Sequence, residues 1–337
     1  MSIAYGIIGC QHAHIEIFIE QMEQLGHRCA GIYERDNKLL AESIAAKFKL
    51  PIAADAESLL GPEIALIGSS AINSEKIDIV ELCEQYGKSI MLDKPAVVNR
   101  RDLQRLEAVI KRGRIEVGML LTERFHPAIY TLKQLIDEQQ LGEIVAISMR
   151  KPHRLNAASR PGWFFDKAQC GGILIDLLIH DYDLLAWLTG NEVVSSTGTV
   201  GKNVLPEHPT FYNTVNVQVT MGDGVVMQLY ADWHTAEQSW TWGDGRIFVT
   251  GTRGFAELRL NGEPQSGSAP MLLLVNDQLP WHEAALRQPP VTITADFLQR
   301  VNGAASSQIT HQHILQAHQA VMMADEQVEY AVTPYKG

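Results

Sequence analysis

Cysteine is scarce in this sequence, long apolar runs are missing, and basic residues are outnumbered. The four cysteines, Cys10, Cys29, Cys83 and Cys170, lie far apart and follow no metal-ligand spacing, which argues against a zinc module or a disulfide framework. Three of them fall inside apolar runs, and all four are expected to be buried free thiols. No stretch approaches the ~18 consecutive apolar residues of a membrane span. The N-terminus lacks the basic start and small-residue cleavage site of a secretory signal, so a soluble, cytoplasmic protein is expected. Lys and Arg number 28 against 39 Asp and Glu, a net charge of −11 with no basic stripe. That balance excludes nucleic acid and anionic membranes as partners and leaves a small molecule. There is no internal repeat, and the loosest stretch, "NGEPQSGSAP" at 261–270, reads as a surface loop.

What is present is length and rhythm. A chain of 337 residues, 46% hydrophobic, is long enough for two cores, and a division into 1–122 and 123–337 is expected. From residue 3 to about residue 121 short apolar strands alternate with amphipathic helices, several closed by glycine, as at Gly26 and Gly87. Strands that are apolar nearly throughout and alternate with helices of this kind form a parallel sheet covered on both faces, a doubly wound α/β fold. Ligands of such sheets lie at the carboxyl ends of the strands.

The first strand ends in "GIIGCQHAHI" (6–15). Gly9 supplies the tight turn of a dinucleotide-binding loop, in which backbone amides and a helix N-terminus take up a pyrophosphate. The second and third glycines of that motif are replaced by Gln11 and His14, so Cys10, Gln11 and His12 form a reshaped loop whose side chains can donate to phosphate. Glu34, at the end of the second strand, is placed to accept from a ribose diol and favours NAD. Arg35 beside it can hold a 2′-phosphate, so NADP stays open. Ser69 and Ser70 end the third strand. The "HAH" of residues 12–14 also suggests a metal, but no carboxylate or cysteine accompanies the two histidines locally, and no metal is expected.

Two further stretches carry chemistry. "MLDKPAV" (91–97) ends a strand with Asp93 and Lys94, and Pro95 holds Lys94 out of helical geometry, with its amine expected to face the ligand crevice. "GGILIDLLIHDYDLLAWLTG" (171–190) reads as one helix, apolar nearly all round and therefore buried. Asp176 and His180 lie at i, i+4 on one face, and Asp183 and Trp187 extend the stripe. A buried carboxylate beside a buried imidazole needs partners or a ligand.

The order of these features resembles the glucose-fructose oxidoreductase / inositol dehydrogenase / rhizopine-catabolism (Gfo/Idh/MocA) family over essentially the whole chain. "DKP" is similar to the family's Glu-Lys-Pro signature, with Asp93 for Glu. "ERFHPAIYTLKQLIDEQQLGEIVAIS" (123–148) is similar to the segment that opens its second domain, and 171–190 to its Gly-Gly…Asp-x-x-x-His-x-x-Asp block. "VTGTRGFAEL" and "ITADFLQRVNG" are similar to its late strand and final helix. Ser74 departs from the histidine that many relatives carry after the third strand.

The resemblance implies an N-terminal Rossmann domain and a C-terminal α+β domain with a large, mostly antiparallel open sheet, through which a homo-oligomer, a dimer or tetramer, would form. It implies hydride transfer between NAD(P) and a hydroxyl carbon of a sugar or polyol. Lys94, Asp176 and His180 match the catalytic set, with His180 as general base or acid, Lys94 on the reacting oxygen and Asp176 orienting. Candidate substrate contacts are these three with Arg124, Arg154 and Trp163. The last two lie in "MRKPHRLNAASRPGWFF" (149–165), whose cations beside an aromatic suit a polyol or an acidic sugar. Trp240 and Trp242 are candidates for sugar stacking or for an oligomer face. Two rival readings are a lyase or glycosidase that retains its cofactor and a non-catalytic nucleotide sensor.

Overall fold

The computed structural model of the chain describes residues 2–333 apart from 266 and 305, so one residue of the 261–270 loop lies outside the described set. The chain forms two compact units: residues up to Leu121 with Ala168–Gly171 and Val291–His318, and Thr122–Lys167 with Gly172–Pro290 and the chain from Gln319.

In the first unit β1 (Ala4–Cys10), α1 (Ile15–Gln24), β2 (Arg28–Tyr33), α2 (Leu39–Phe48), β3 (Ile64–Ser70), α3 (Lys76–Gln85), β4 (Ser89–Leu92), α4 (Arg100–Arg112) and β5 (Val117–Met119) follow in strict alternation. The five strands are all parallel in the order β2-β1-β3-β4-β5. The expected doubly wound sheet is therefore present. Local chemistry fixes the helix ends: the Asn99 side chain accepts from the Asp102 amide at 2.9 Å, and Gly113 closes α4 with φ +62°. Each such cap is worth about 1 kcal/mol.

In the second unit α5 (Pro127–Asp137), β6 (Ile144–Pro152) and α6 (Lys167–Cys170), whose last three residues belong to the first unit, precede α7 (Ile179–Thr189). The strands β7 (Val193–Lys202), β8 (Thr214–Met221), β9 (Val226–Asp232), β10 (Arg246–Gly251), β11 (Gly254–Arg259), β12 (Met271–Asn276) and β13 (His282–Glu283) follow. With β14 (Glu329–Val332) they form a nine-stranded sheet, β13-β12-β11-β10-β6-β9-β8-β7-β14, antiparallel except for β6/β9 and β7/β14. Alternation sets its faces: in β8, Val215, Val217, Val219 and Met221 are buried while Asn216 and Gln218 are exposed. The turn Met221–Val226 joins β8 to β9 around Gly222-Asp223-Gly224, as the sequence implied.

Before β14 the chain returns to the first unit with α8 (Ile293–Val301) and the start of α9 (His311–Gln327). The Thr294 amide donates to Gln21 Oε1 of α1 at 3.1 Å, and Arg300 Nη2 donates to the Val117 carbonyl at 2.6 Å. Gly118 admits this packing, because a Cβ there would stand 2.7 Å from the Phe297 ring. Residues 291–318, counted with the second domain on sequence, thus pack with the first unit. All four cysteines are buried and free. Among the described residues no helix is long and apolar enough to cross a membrane.

Candidate functional site

The strand order puts a topological switch between β1 and β3, where a parallel sheet leaves a crevice at its carboxyl edge. Gly9 and Cys10 end β1, Ser69 and Ser70 end β3, Glu34 follows β2, and Asp93 and Lys94 follow β4. These seven residues expected at the cofactor therefore lie along one edge. Gly9 has φ +82°, and a Cβ there would meet the Ala71 Cβ at 2.5 Å, so neither the backbone angle nor the space admits another residue.

Glu34 ties the edge together. Its Oε2 accepts from the Cys10 amide at 2.6 Å and its Oε1 from the Asp36 amide at 2.8 Å, which uses two of about four acceptor positions of a carboxylate. Arg35 is exposed and paired with Asp36 and Glu75, both at 3.1 Å. The Gln11 amide group does not turn toward the expected phosphate position; its Nε2 donates to the Asn37 carbonyl at 3.2 Å, while its backbone N–H donates to Ser70. The thiol of Cys10 is pushed up to about 12 by burial, with Glu34 adding to the shift, so it is inert. Among the described residues the amides of His12, Ala13 and His14, just ahead of α1, have no backbone acceptor. Free amides before a helix and a half-used carboxylate beside them suit a diphosphate and a diol.

Sequence reasoning missed Lys76. It is fully buried, and its ammonium donates to Asn73 Oδ1 at 2.8 Å, to the carbonyls of Asp93 and Pro95 at 2.8 and 3.0 Å, and to that of Lys94 at 3.4 Å. Asp93, 1% exposed, has His12 and His14 against its two oxygens and Lys76 at 4.0 Å. Burial alone would raise its pKa, but His12, Lys76 and His14 hold it well below the usual carboxylate range. Burial, with His14 beside it, pushes His12 down to about 4 despite Asp93. Lys94 is itself buried and is joined to Pro95 by a cis peptide bond. His318, also missed, steadies the next residues: its Nε2 accepts from the amides of Ala96 and Val97 at 3.1 and 3.3 Å, and its Nδ1 donates to the Ile314 carbonyl.

In the second unit the expected single helix over 171–190 is two pieces. Residues Ile173–Leu177 form a π-helical turn, and α7 starts only at Ile179. Asp176 lies in the wide turn and His180 in the first turn of α7, both buried. Such turns widen a helix locally and are frequent at functional sites.

The other proposed substrate contacts have structural partners. Arg124 is 3% exposed and paired through two nitrogens with Asp183 at 2.6 and 2.7 Å, with its guanidinium 5.4 Å from the Trp187 ring. Arg154 Nη2 donates to the carbonyls of Ala236, Ser239 and Thr241. Trp163 is buried next to Phe164. Lys151 is paired with Glu123 at 2.5 Å and Asp181 at 2.6 Å. Burial raises the Asp181 pKa against the pull of Lys151. Arg160 lies over Phe164, Trp233 and Trp242 at 4.4, 5.3 and 5.8 Å. The basic stretch of 149–165 is therefore largely spent on the protein itself, although Arg154 Nε and Trp163 Nε1 are buried without a hydrogen-bond partner among the described residues. Trp240 and Trp242 remain exposed, each at 44%.

Residues 3–119 match the family described as an oxidoreductase family with an NAD-binding Rossmann fold, and residues 129–257 match the GFO/IDH/MocA C-terminal domain. The chain is 24% identical over 234 residues to inositol 2-dehydrogenase 2 of Saccharopolyspora erythraea, covering 68% of this chain and 66% of that protein. It is 33% identical over 129 residues to inositol 2-dehydrogenase of Rhizobium meliloti, 36% of each chain. The matches thus span just under two thirds of the first relative and about a third of the second. Among solved structures, levoglucosan dehydrogenase in complex with NADH and levoglucosan aligns with a TM-score of 0.80 at 16% identity, over 97% of each chain, and shares the fold. These comparisons lend no support to the lyase, glycosidase or sensor readings, which are not carried further.

Proposed function

Because the chain belongs to the GFO/IDH/MocA oxidoreductase family, whose first part is an NAD-binding Rossmann fold, we propose that it is an NAD-dependent dehydrogenase of uncharged cyclic polyols or sugars. The observation that carries this reading is the row of Glu34, Gly9-Cys10, Ser69-Ser70 and Asp93-Lys94 along one edge of the parallel sheet. NAD, when bound, supplies the hydride acceptor. The amides of His12, Ala13 and His14 take the diphosphate, and the remaining lone pairs of Glu34 accept from ribose hydroxyls. A 2′-phosphate would meet the Glu34 charge, with Arg35 already shared between two acids, which favours NAD over NADP.

The Lys94 ammonium steadies negative charge on the substrate oxygen. His180 takes the hydroxyl proton in oxidation and returns it in reduction, and Asp176 orients. These three roles rest on the similarity of their motifs to the family's. A neutral substrate is favoured because the cations of 149–165 are already paired or stacked. The relatives named for inositol and levoglucosan support the same class. The half-exposed stack of Phe255 on Trp281, centroids 5.9 Å apart, supports assembly as a homo-oligomer through the sheet.

Tryptophan fluorescence titration should give NAD binding at least about tenfold tighter than NADP. A screen of inositols, neutral sugars and sugar acids by reduced-nicotinamide absorbance should show turnover of neutral compounds. Lys94→Ala and His180→Ala should each lower kcat by about a hundredfold or more with the Kd for NAD little changed. Absence of NAD binding, or an unaltered rate in both variants, overturns the reading.

A further inference from the structure

Two imidazoles and a carboxylate, far apart in sequence, meet at one point of the first unit. His12 Nδ1 stands 3.0 Å from Asp93 Oδ2, and His14 Nδ1 stands 3.2 Å from Asp93 Oδ1. One ligand-capable atom from each residue lies within 4.8 Å of the other two. Donors bound at about 2.0 Å to a tetrahedral ion stand about 3.3 Å apart, close to the two His–Asp spacings here.

His14 Nδ1 is hydrogen-bonded to Asp93 Oδ1, and three further details bear on whether the group can also hold an ion. His12 Nδ1 is buried and close to Oδ2, yet it is not aligned for a hydrogen bond with it. The two rings stand edge to face, centroids 4.1 Å apart and planes at 85°, while both Nδ1 atoms point to the same carboxylate. Asp93 is held in place, with the Lys76 ammonium 4.0 Å from Oδ2 and its backbone amide donating to the Ser69 carbonyl. The His14 and His12 rings reach solvent, at 47% and 23% exposure, while His12 Nδ1 and Asp93 lie buried beneath them.

The donor set also selects the ion. Lys76 offsets the charge of Asp93, so an oxygen-seeking ion such as Mg²⁺ or Ca²⁺, held by carboxylate charge, gains little here. Ions that bond well to imidazole nitrogen gain most. We propose that His12, His14 and Asp93 form a binding site for a divalent transition-metal ion of the zinc class, with one coordination position left open. The site shares the 12–14 loop and Asp93 with the cofactor edge of the dehydrogenase reading, but it uses their side chains and is measured without cofactor or turnover.

The test uses the untagged full-length protein, stripped with a chelator and titrated with Co²⁺ while visible d–d absorption is followed. The expected result is one Co²⁺ per chain with a four-coordinate spectrum, displaced by one equivalent of Zn²⁺ and not by excess Mg²⁺. His14→Ala, a half-exposed position that leaves packing intact, and His12→Ala should each weaken Co²⁺ binding by at least about tenfold. His282→Ala, in the second unit, should leave it unchanged. Failure to saturate with Co²⁺, or binding that survives loss of both His12 and His14, overturns the proposal. NAD titration of the same stripped protein reports on the dehydrogenase reading separately.

Discussion

At the ends of β3 and β4 the buried ammonium of Lys76 donates to peptide carbonyls and to Asn73 Oδ1, whereas along α7 the buried guanidinium of Arg124 is spent on the carboxylate of Asp183. Both cations escape the cost of burial, but through different partners. A carbonyl belongs to the chain and cannot be mutated away; a carboxylate can. The first arrangement therefore fixes the path of the Asp93-Lys94-Pro95 turn irreplaceably, while the second is an exchangeable pair that orients α7 against the segment carrying Arg124.

That difference is most sharply broken by substitution. Lys76→Met should cost about 3–5 kcal/mol, since several buried acceptors lose their donor together. No second change elsewhere can restore it. Arg124→Met should cost a similar ~3–5 kcal/mol because it strands Asp183, yet Arg124→Met with Asp183→Leu should recover most of the loss. Denaturant melts of the three variants decide the matter. Recovery of Lys76→Met by Asp93→Asn, or no recovery in the Arg124/Asp183 double variant, would erase the distinction.

A smaller effect tests whether the β1 turn is fixed by backbone in the same irreplaceable way. Gly9→Ala combines φ +82° with a Cβ 2.5 Å from that of Ala71, and should cost about 1–3 kcal/mol. Adding Ala71→Gly removes the clash but not the torsional strain, so only part of the stability should return in thermal melts. Full recovery would mean that space alone, and not the backbone angle, demands glycine.

The same two regions show what a sequence reveals. The β1–β5 alternation was legible because apolar periodicity and glycine stops are local signals, and Gly9, Glu34 and Asp93 were placed by their positions at strand ends. The π-turn at 173–177 was not legible, because a segment apolar on every side carries no phase from which a change of pitch can be read. Lys76 looked like an ordinary solvent-facing helix residue; its acceptors lie up to 19 residues ahead. His12 and His14 had no local carboxylate, and the fold brings Asp93 to them across β1 and β4. The cations of 149–165 left an acidic sugar open beside a polyol because their partners, Glu123, Asp181 and the carbonyls of 236–241, come from other segments.

The smallest effect concerns His318, which like Lys76 serves the backbone after β4 but through a neutral lone pair. Its Nε2 accepts from the Ala96 and Val97 amides, so protonation would set N–H against N–H. Burial pushes its pKa down to about 4. The unfolded chain binds the proton near the ordinary value of about 6.5, so between these values the unfolded state holds more protons and stability falls as pH is lowered. From about pH 7.5 to about pH 5.5 this histidine should withdraw about 1 kcal/mol, all of it present above the unfolded value. His318→Gln, which keeps an acceptor without a titrating ring, should lower stability at neutral pH yet flatten the decline in Tm over that range by about that amount. An equal slope in wild type and His318→Gln would assign the acid sensitivity to other histidines with lowered pKa, such as His12, His126 and His311, and remove His318 from the account.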